Sequence, residues 1–161
     1  MTAVRDNYQR PIRYLRVSIT DRCNLRCIYC MPEEGVPLMR HEEILRFEEI
    51  RRLVKIAVGL GITQVRLTGG EPLARRGVVD LVRMLSQVAG LEGLTLTSNG
   101  TLLAPLAEPL AQAGLQRVNI SLDTLRPERY RAMTRRGELS DVLAGIAAAR
   151  AAGLHPVKIN S

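Results

Sequence analysis

A chain of 161 residues, 46% of them apolar, suits a single domain with its own core, and no apolar run nears the roughly 18 residues of a membrane span. The formal charge of +7, nearly all from arginine, invites an anionic ligand, yet one phenylalanine, four tyrosines and no tryptophan make a poor stacking platform, so neither DNA nor RNA is expected as a partner. The opening "MTAVRDNYQRPIRYL" lacks the basic-then-apolar order of a signal peptide, which predicts a cytoplasmic protein with no membrane partner.

The first predicted element is a strand over Leu15 to Thr20, in which Leu15, Val17 and Ile19 alternate with Arg16, Ser18 and Thr20. It runs into "DRCNLRCIYCMP", which holds all three cysteines of the chain, Cys23, Cys27 and Cys30. An odd number of thiols so closely spaced is no disulfide framework. Zinc would need a fourth ligand, and His41 is the only histidine nearby. A redox dithiol from Cys27 and Cys30 would leave Cys23 without a role, and buried structural cysteines seldom cluster among Asp21, Arg22, Asn24 and Arg26. An iron-sulfur cluster fits best, because soft thiolates suit iron and three ligands on four irons leave one iron open.

Helical spacing of Phe47, Ile50, Leu53, Val54, Ala57 and Val58 predicts the next element, closed by Gly61. From that glycine runs "GITQVRLT", the first of three segments that align without gaps, the others being "GLQRVNIS" from Gly114 and "GLHPVKIN" from Gly153. Each is read as a helix-closing glycine followed by a short alternating strand. After the second strand come Gly69, Gly70, Glu71 and Pro72, where paired glycines let the backbone pass close to a ligand. An amphipathic helix follows over Val78 to Val88, then a strand over Leu94 to Ser98 ending in Asn99 and Gly100. A weaker helix over Pro105 to Ala113 should be kinked by Pro109. The fourth strand ends near Ser121 and Asp123. A last helix carries Val142, Leu143, Ile146 and Ala149, with Ser140 placed to cap it, and a fifth strand spans Val157 to Asn160.

Strands alternating with helices imply parallel pairing through crossovers, hence an α/β architecture that is a barrel or part of one. Every strand has one apolar and one polar face. The apolar faces should meet the helices, leaving Arg16, Arg66 and Lys158 on the other side. That polar face is either a surface in water or a cationic cavity for an anion. The recurrence of charge at equivalent positions favours the cavity.

C-x3-C-x-aromatic-C after a first strand with "GGEP" after the second resembles the radical S-adenosylmethionine (SAM) enzymes. The order "LRVSITDRCNLRCIYCMP", "VRLTGGEPLARR", "TSNGTLL", "VNISLDTL", "VKIN" is similar, over essentially the whole chain, to the MoaA family of GTP cyclases that open molybdenum cofactor biosynthesis. The resemblance implies a parallel-stranded partial TIM-like barrel of the radical SAM type, truncated after about the fifth strand. It implies a four-iron four-sulfur (4Fe-4S) cluster on Cys23, Cys27 and Cys30, SAM contacts from Tyr29, Gly70 and Ser121, and GTP contacts from Arg16, Arg66, Thr97 and Lys158. No single side chain is implied as a catalytic acid or base. Arg75 and Arg76 match a basic pair in the family or stand as a solvated loop pair. Glu71 either bonds locally or reaches SAM, Met31 packs on the cluster or in the core, and Gly77 replaces an acidic residue common among relatives.

As implied partners the resemblance brings an electron donor and a downstream pterin synthase. The family is about twice as long, with a second cysteine triplet and cluster in its C-terminal part. Residues 1–161 are therefore expected to form one incomplete radical SAM core domain, a fragment with impaired activity. The alternatives are a non-catalytic fragment that binds cluster or nucleotide, and a radical SAM enzyme with another substrate. The last strand should be an open edge that promotes self-association.

Overall fold

The computed structural model describes residues 4–161. Five short strands, β1 (Tyr14–Ser18), β2 (Gln64–Thr68), β3 (Gly93–Ser98), β4 (Arg117–Ser121) and β5 (Lys158–Asn160), lie side by side in chain order, all parallel. Parallel neighbours cannot be joined by a tight turn, so a crossover separates each pair. The crossovers contain helices α1 (Phe47–Gly59), α2 (Val78–Ser86), α3 (Ala107–Gln112), and, between β4 and β5, both α4 (Pro127–Thr134) and α5 (Leu139–Ala151). The result is an open α/β half-barrel, as the alternation of elements predicts.

The apolar alternation of the strands makes the core. Val65, Leu67, Leu96, Val118 and Ile120 are fully buried, together with Val54 of α1, Leu81 and Leu85 of α2, Leu110 of α3 and Val142 of α5. Each such side chain contributes about 1.5–3 kcal/mol on leaving water. Gly61, Gly114 and Gly153 close α1, α3 and α5 with positive φ of 99°, 101° and 77°, confirming the repeated glycine-then-strand unit.

Three expectations need correction. Pro109 does not kink α3, because it lies in the helix's first turn, where its missing N–H would have found no carbonyl anyway. Ser140 does not cap α5; the helix begins one residue earlier at Leu139, with Glu138 in the cap position and no side-chain cap. α4 went unanticipated: its sequence, PERYRAMT, buries only Tyr130 and Thr134, too little to make an apolar stripe. Its signal was chemical instead, a proline in the first turn followed by Glu128.

Candidate functional site

Every loop that leaves the carboxyl end of a strand converges on one cavity of about 220 Å³. Its walls include Cys23, Cys27, Tyr29 and Cys30 from the loop after β1, Gly69 and Gly70 after β2, Thr97, Ser98 and Asn99 at the end of β3, and Ser121 and Asp123 at the end of β4. Arg16, Tyr130 and Thr134 also line it. All three thiols are free, and burial pushes those of Cys23 and Cys27 above the ordinary cysteine range.

The cysteine loop is held from three sides. On the β2 side, the Gly70 N–H donates to Thr20 O at 2.7 Å and the Glu71 N–H to Arg22 O at 2.8 Å. This approach is possible only without side chains. A Cβ on Gly69 would lie 2.4 Å from Thr20 O, and one on Gly70 2.4 Å from Arg22 O. The paired glycines thus have a reason that sequence reading missed: besides lining the cavity, they press against the backbone that leads into the cysteines.

On the β3 side, Glu71 is 1% exposed and accepts from Ser98 Oγ (2.9 Å), Leu73 N–H (2.9 Å) and Asn99 N–H (2.7 Å). Burial raises its carboxyl above the usual range, and those three donors pull it back. Of the two roles open to Glu71, local bonding is the one realised. Asn99 Nδ2 donates to Asn24 Oδ1 at 2.9 Å and points at Cys23 Sγ from 4.0 Å, while Asn24 Nδ2 donates to Thr101 Oγ1 at 2.9 Å. The Leu25 N–H reaches Cys23 Sγ at 3.4 Å.

On the third side stands α4. Its last turn accepts from the cysteine loop, Arg26 N–H to Thr134 O at 3.0 Å and Ile28 N–H to Met133 O at 2.9 Å. Arg135, in the left-handed region at φ 62°, then donates through Nη1 to Arg26 O (2.9 Å) and Met31 O (3.0 Å). Tyr29 closes the circuit by donating to Asp123 Oδ2 at 2.7 Å, and burial together with that bond pushes its phenol far up. Asn24, Asn99, Tyr130 and Arg135 were not among the expected site residues. Their positions depend on which loops meet, which no local pattern encodes.

The cationic expectation divides. Arg16 and Thr97 line the cavity, whereas Arg66 and Lys158 do not. Arg16 and Arg66 are register neighbours on β1 and β2, as Asn119 and Lys158 are on β4 and β5. Arg66 lies over the Tyr14 ring at 5.2 Å and, with the Asn119 amide suitably turned, donates to its oxygen at 3.2 and 3.3 Å; its buried Nε has no partner. Lys158 is exposed on the open edge. Arg117 at the start of β4 adds a charge to the same face in register with Thr95. Among the described residues, none of Arg16, Arg66, Arg117 and Lys158 forms an ion pair.

Arg75 and Arg76 part company. Arg75 donates to Ile19 O and, at 2.6 Å, to Leu45 O, with its guanidinium 4.5 Å from the centre of the Phe47 ring; Arg76 stays exposed. Both line a separate cleft of about 450 Å³ with His41, which removes His41 from the thiols. Among the described residues, no three His, Cys, Asp or Glu side chains converge as a single ion would need. Ligands to separate irons of a cluster need no such convergence, and three thiols from one loop lining one cavity suit it. Nor, among these residues, is any helix long and apolar enough to cross a membrane.

Comparison with known proteins bears on the family and the fold. The chain is 61% identical to the GTP 3',8-cyclase of Heliobacterium modesticaldum over 155 residues, 96% of this chain and 47% of that protein. It is 60% identical to that of Moorella thermoacetica, over 98% of this chain and 49% of that one. The chain therefore spans about half the length of the relatives it matches. Among solved structures, methylornithine synthase (PylB) superposes with a TM-score of 0.70 at 19% identity, covering 91% of this chain and 42% of that one. Streptococcus suis SuiB bound to S-adenosylmethionine gives 0.69 at 19%, covering 87% and 30%. At such identities these two speak for the fold alone. The family model for the Radical SAM superfamily matches residues 17–161, from within β1 to the end of the chain, and the chain belongs to that superfamily.

Proposed function

We propose that this chain is the cofactor-bearing half of a GTP 3',8-cyclase, and that it holds a 4Fe-4S cluster on Cys23, Cys27 and Cys30 with SAM against Tyr29, Gly70 and Ser121. The observation that carries the reading is one cavity in which all six of these residues meet, in a sequence 61% identical to a named cyclase. When bound and reduced, the cluster would supply the electron that cleaves SAM to methionine and a deoxyadenosyl radical, which takes a hydrogen atom from the ribose of GTP.

The chain's own residues position and insulate. The glycine loop offers its backbone beside the thiols, and Glu71 fixes that loop to the end of β3. Arg16 and Arg66, register neighbours unpaired by any acid among the described residues, leave positive charge on the polar face for an anion. A triphosphate supplies that anion, with Thr97 on the cavity wall and Lys158 on the neighbouring edge. In this reading the protein works in the cytoplasm, draws its electron from a reduced donor and passes its product to a pterin synthase.

A second reading, cluster and SAM binding without turnover of GTP, draws support from the exposed position of Lys158 outside the cavity. Anaerobic reconstitution with iron and sulfide, then assay for deoxyadenosine with SAM, reductant and GTP, separates the two. GTP-dependent deoxyadenosine supports the cyclase. A reconstituted cluster that cleaves SAM at the same rate with and without GTP supports the second reading.

A further inference from the structure

Tyr130 poses a problem that the preceding account leaves unsolved. Its ring, 3% exposed, belongs to α4 and packs against Gly137, where an added Cβ would lie 2.9 Å from the tyrosine ring and 3.0 Å from Leu25. The hydroxyl is sealed from solvent and has no hydrogen-bond partner among the described residues. Leaving such a group unmatched costs free energy. A phenylalanine would fill the same space at no such cost, so the packing alone does not explain a tyrosine.

The residue also lines the cysteine cavity, and it cannot readily turn away. Its helix is pinned to the cysteine loop by Arg26 N–H to Thr134 O and Ile28 N–H to Met133 O, and Thr134 Oγ1 in turn donates to Tyr130 O at 2.8 Å. The hydroxyl itself opens onto neither solvent nor cavity, so the acceptor it lacks must be a group that shifts against it when the cavity is filled, and the thiols of the shared wall are such groups. Sulfur ligands and sulfides are the acceptors that the thiol set implies.

We propose that the Tyr130 hydroxyl donates a hydrogen bond to a sulfur of the cluster held by Cys23, Cys27 and Cys30, and so raises its reduction potential. The inference rests on the cluster reading above. Hydrogen bonds to cluster sulfurs favour the reduced, more negative state, and they are one of the levers that set these potentials.

The test compares the wild-type chain with Tyr130→Phe, which keeps the ring and its packing. Both are reconstituted anaerobically without SAM, assayed for iron and sulfide, and titrated by electron paramagnetic resonance against potential. Equal iron and sulfide with a more negative midpoint in the variant is the expected result. Coincident midpoints would overturn the inference. So would a variant whose midpoint is unchanged while its SAM affinity falls, since the hydroxyl would then serve SAM. Iron–sulfur stretching frequencies in H2O and D2O give a second reading, because part of the wild-type isotope shift should vanish in Tyr130→Phe. A wild-type chain that takes up no iron would fail earlier, at the cluster reading itself, and the inference would fall with it.

Discussion

The two ends of the sheet differ in how much of their site is already built. On the β1 to β3 side, the cysteine loop is fastened to the glycine loop, to Asn99 and to α4 by bonds between residues far apart in sequence, and its key carboxylate is buried. On the β5 side, the strand has three residues, all exposed, and Lys158 stands on an edge with no further strand among the described residues. The contrast teaches what fastening does for a loop. The cysteine loop is braced by neighbours on three sides, whereas the charges of the polar face, Arg16, Arg66 and Lys158, have no acidic partner among the described residues to hold them.

The sharpest way to break that comparison is to place a methyl group on each side. Gly70→Ala would set a Cβ 2.4 Å from Arg22 O, against backbone that cannot swing aside. We expect a loss of about 3 kcal/mol in chemical denaturation, together with loss of reconstituted iron. Gly153→Ala meets nothing within 4 Å and suffers only from its φ of 77°, so about 1 kcal/mol is expected, with iron retained. Equal costs at the two sites would erase the distinction between a built end and an open one.

Glu71→Gln sharpens the point within the built end. The carboxylate accepts from three donors, and an amide would turn its NH2 toward at least one of them, costing about 2 kcal/mol. Burial holds the folded carboxyl above its unfolded value, so folding takes up a proton in the interval between the two. Wild-type stability should therefore fall as pH rises through that interval. The Gln variant lacks the slope, and the gap between the two should narrow with rising pH in denaturation series. The smallest expected effect on stability belongs to Lys158→Ala, within about 0.5 kcal/mol for an exposed side chain. On the proposed cyclase reading, its GTP affinity, measured by titration calorimetry, should nonetheless fall about tenfold, equivalent to about 1.4 kcal/mol.

How much of this was legible in sequence follows from the range of each interaction. Strand alternation, the three helix-closing glycines and the cysteine spacing are local, and all reappear in the structure. The polar face was legible too, since period two puts Arg16 and Arg66 on one side whatever they touch. What they touch was not. Arg66 turns to Asn119 on a strand two places away, and Arg75 finds Ile19 and Leu45, because sheet order and loop packing decide these contacts. α4 escaped for the converse reason. It is too charged to announce itself by periodicity, and its importance comes from bracing a loop a hundred residues upstream through Arg135.

The central claim is that three thiols on one wall hold four irons and leave one of them open to SAM. Mössbauer and electron paramagnetic resonance spectra of the anaerobically reconstituted chain, recorded before and after adding SAM, test it most directly. The account predicts about four irons and four sulfides per chain and a reduced-cluster signal that changes when SAM is added. A preparation that binds zinc in place of iron, or a cluster signal indifferent to SAM, would contradict it.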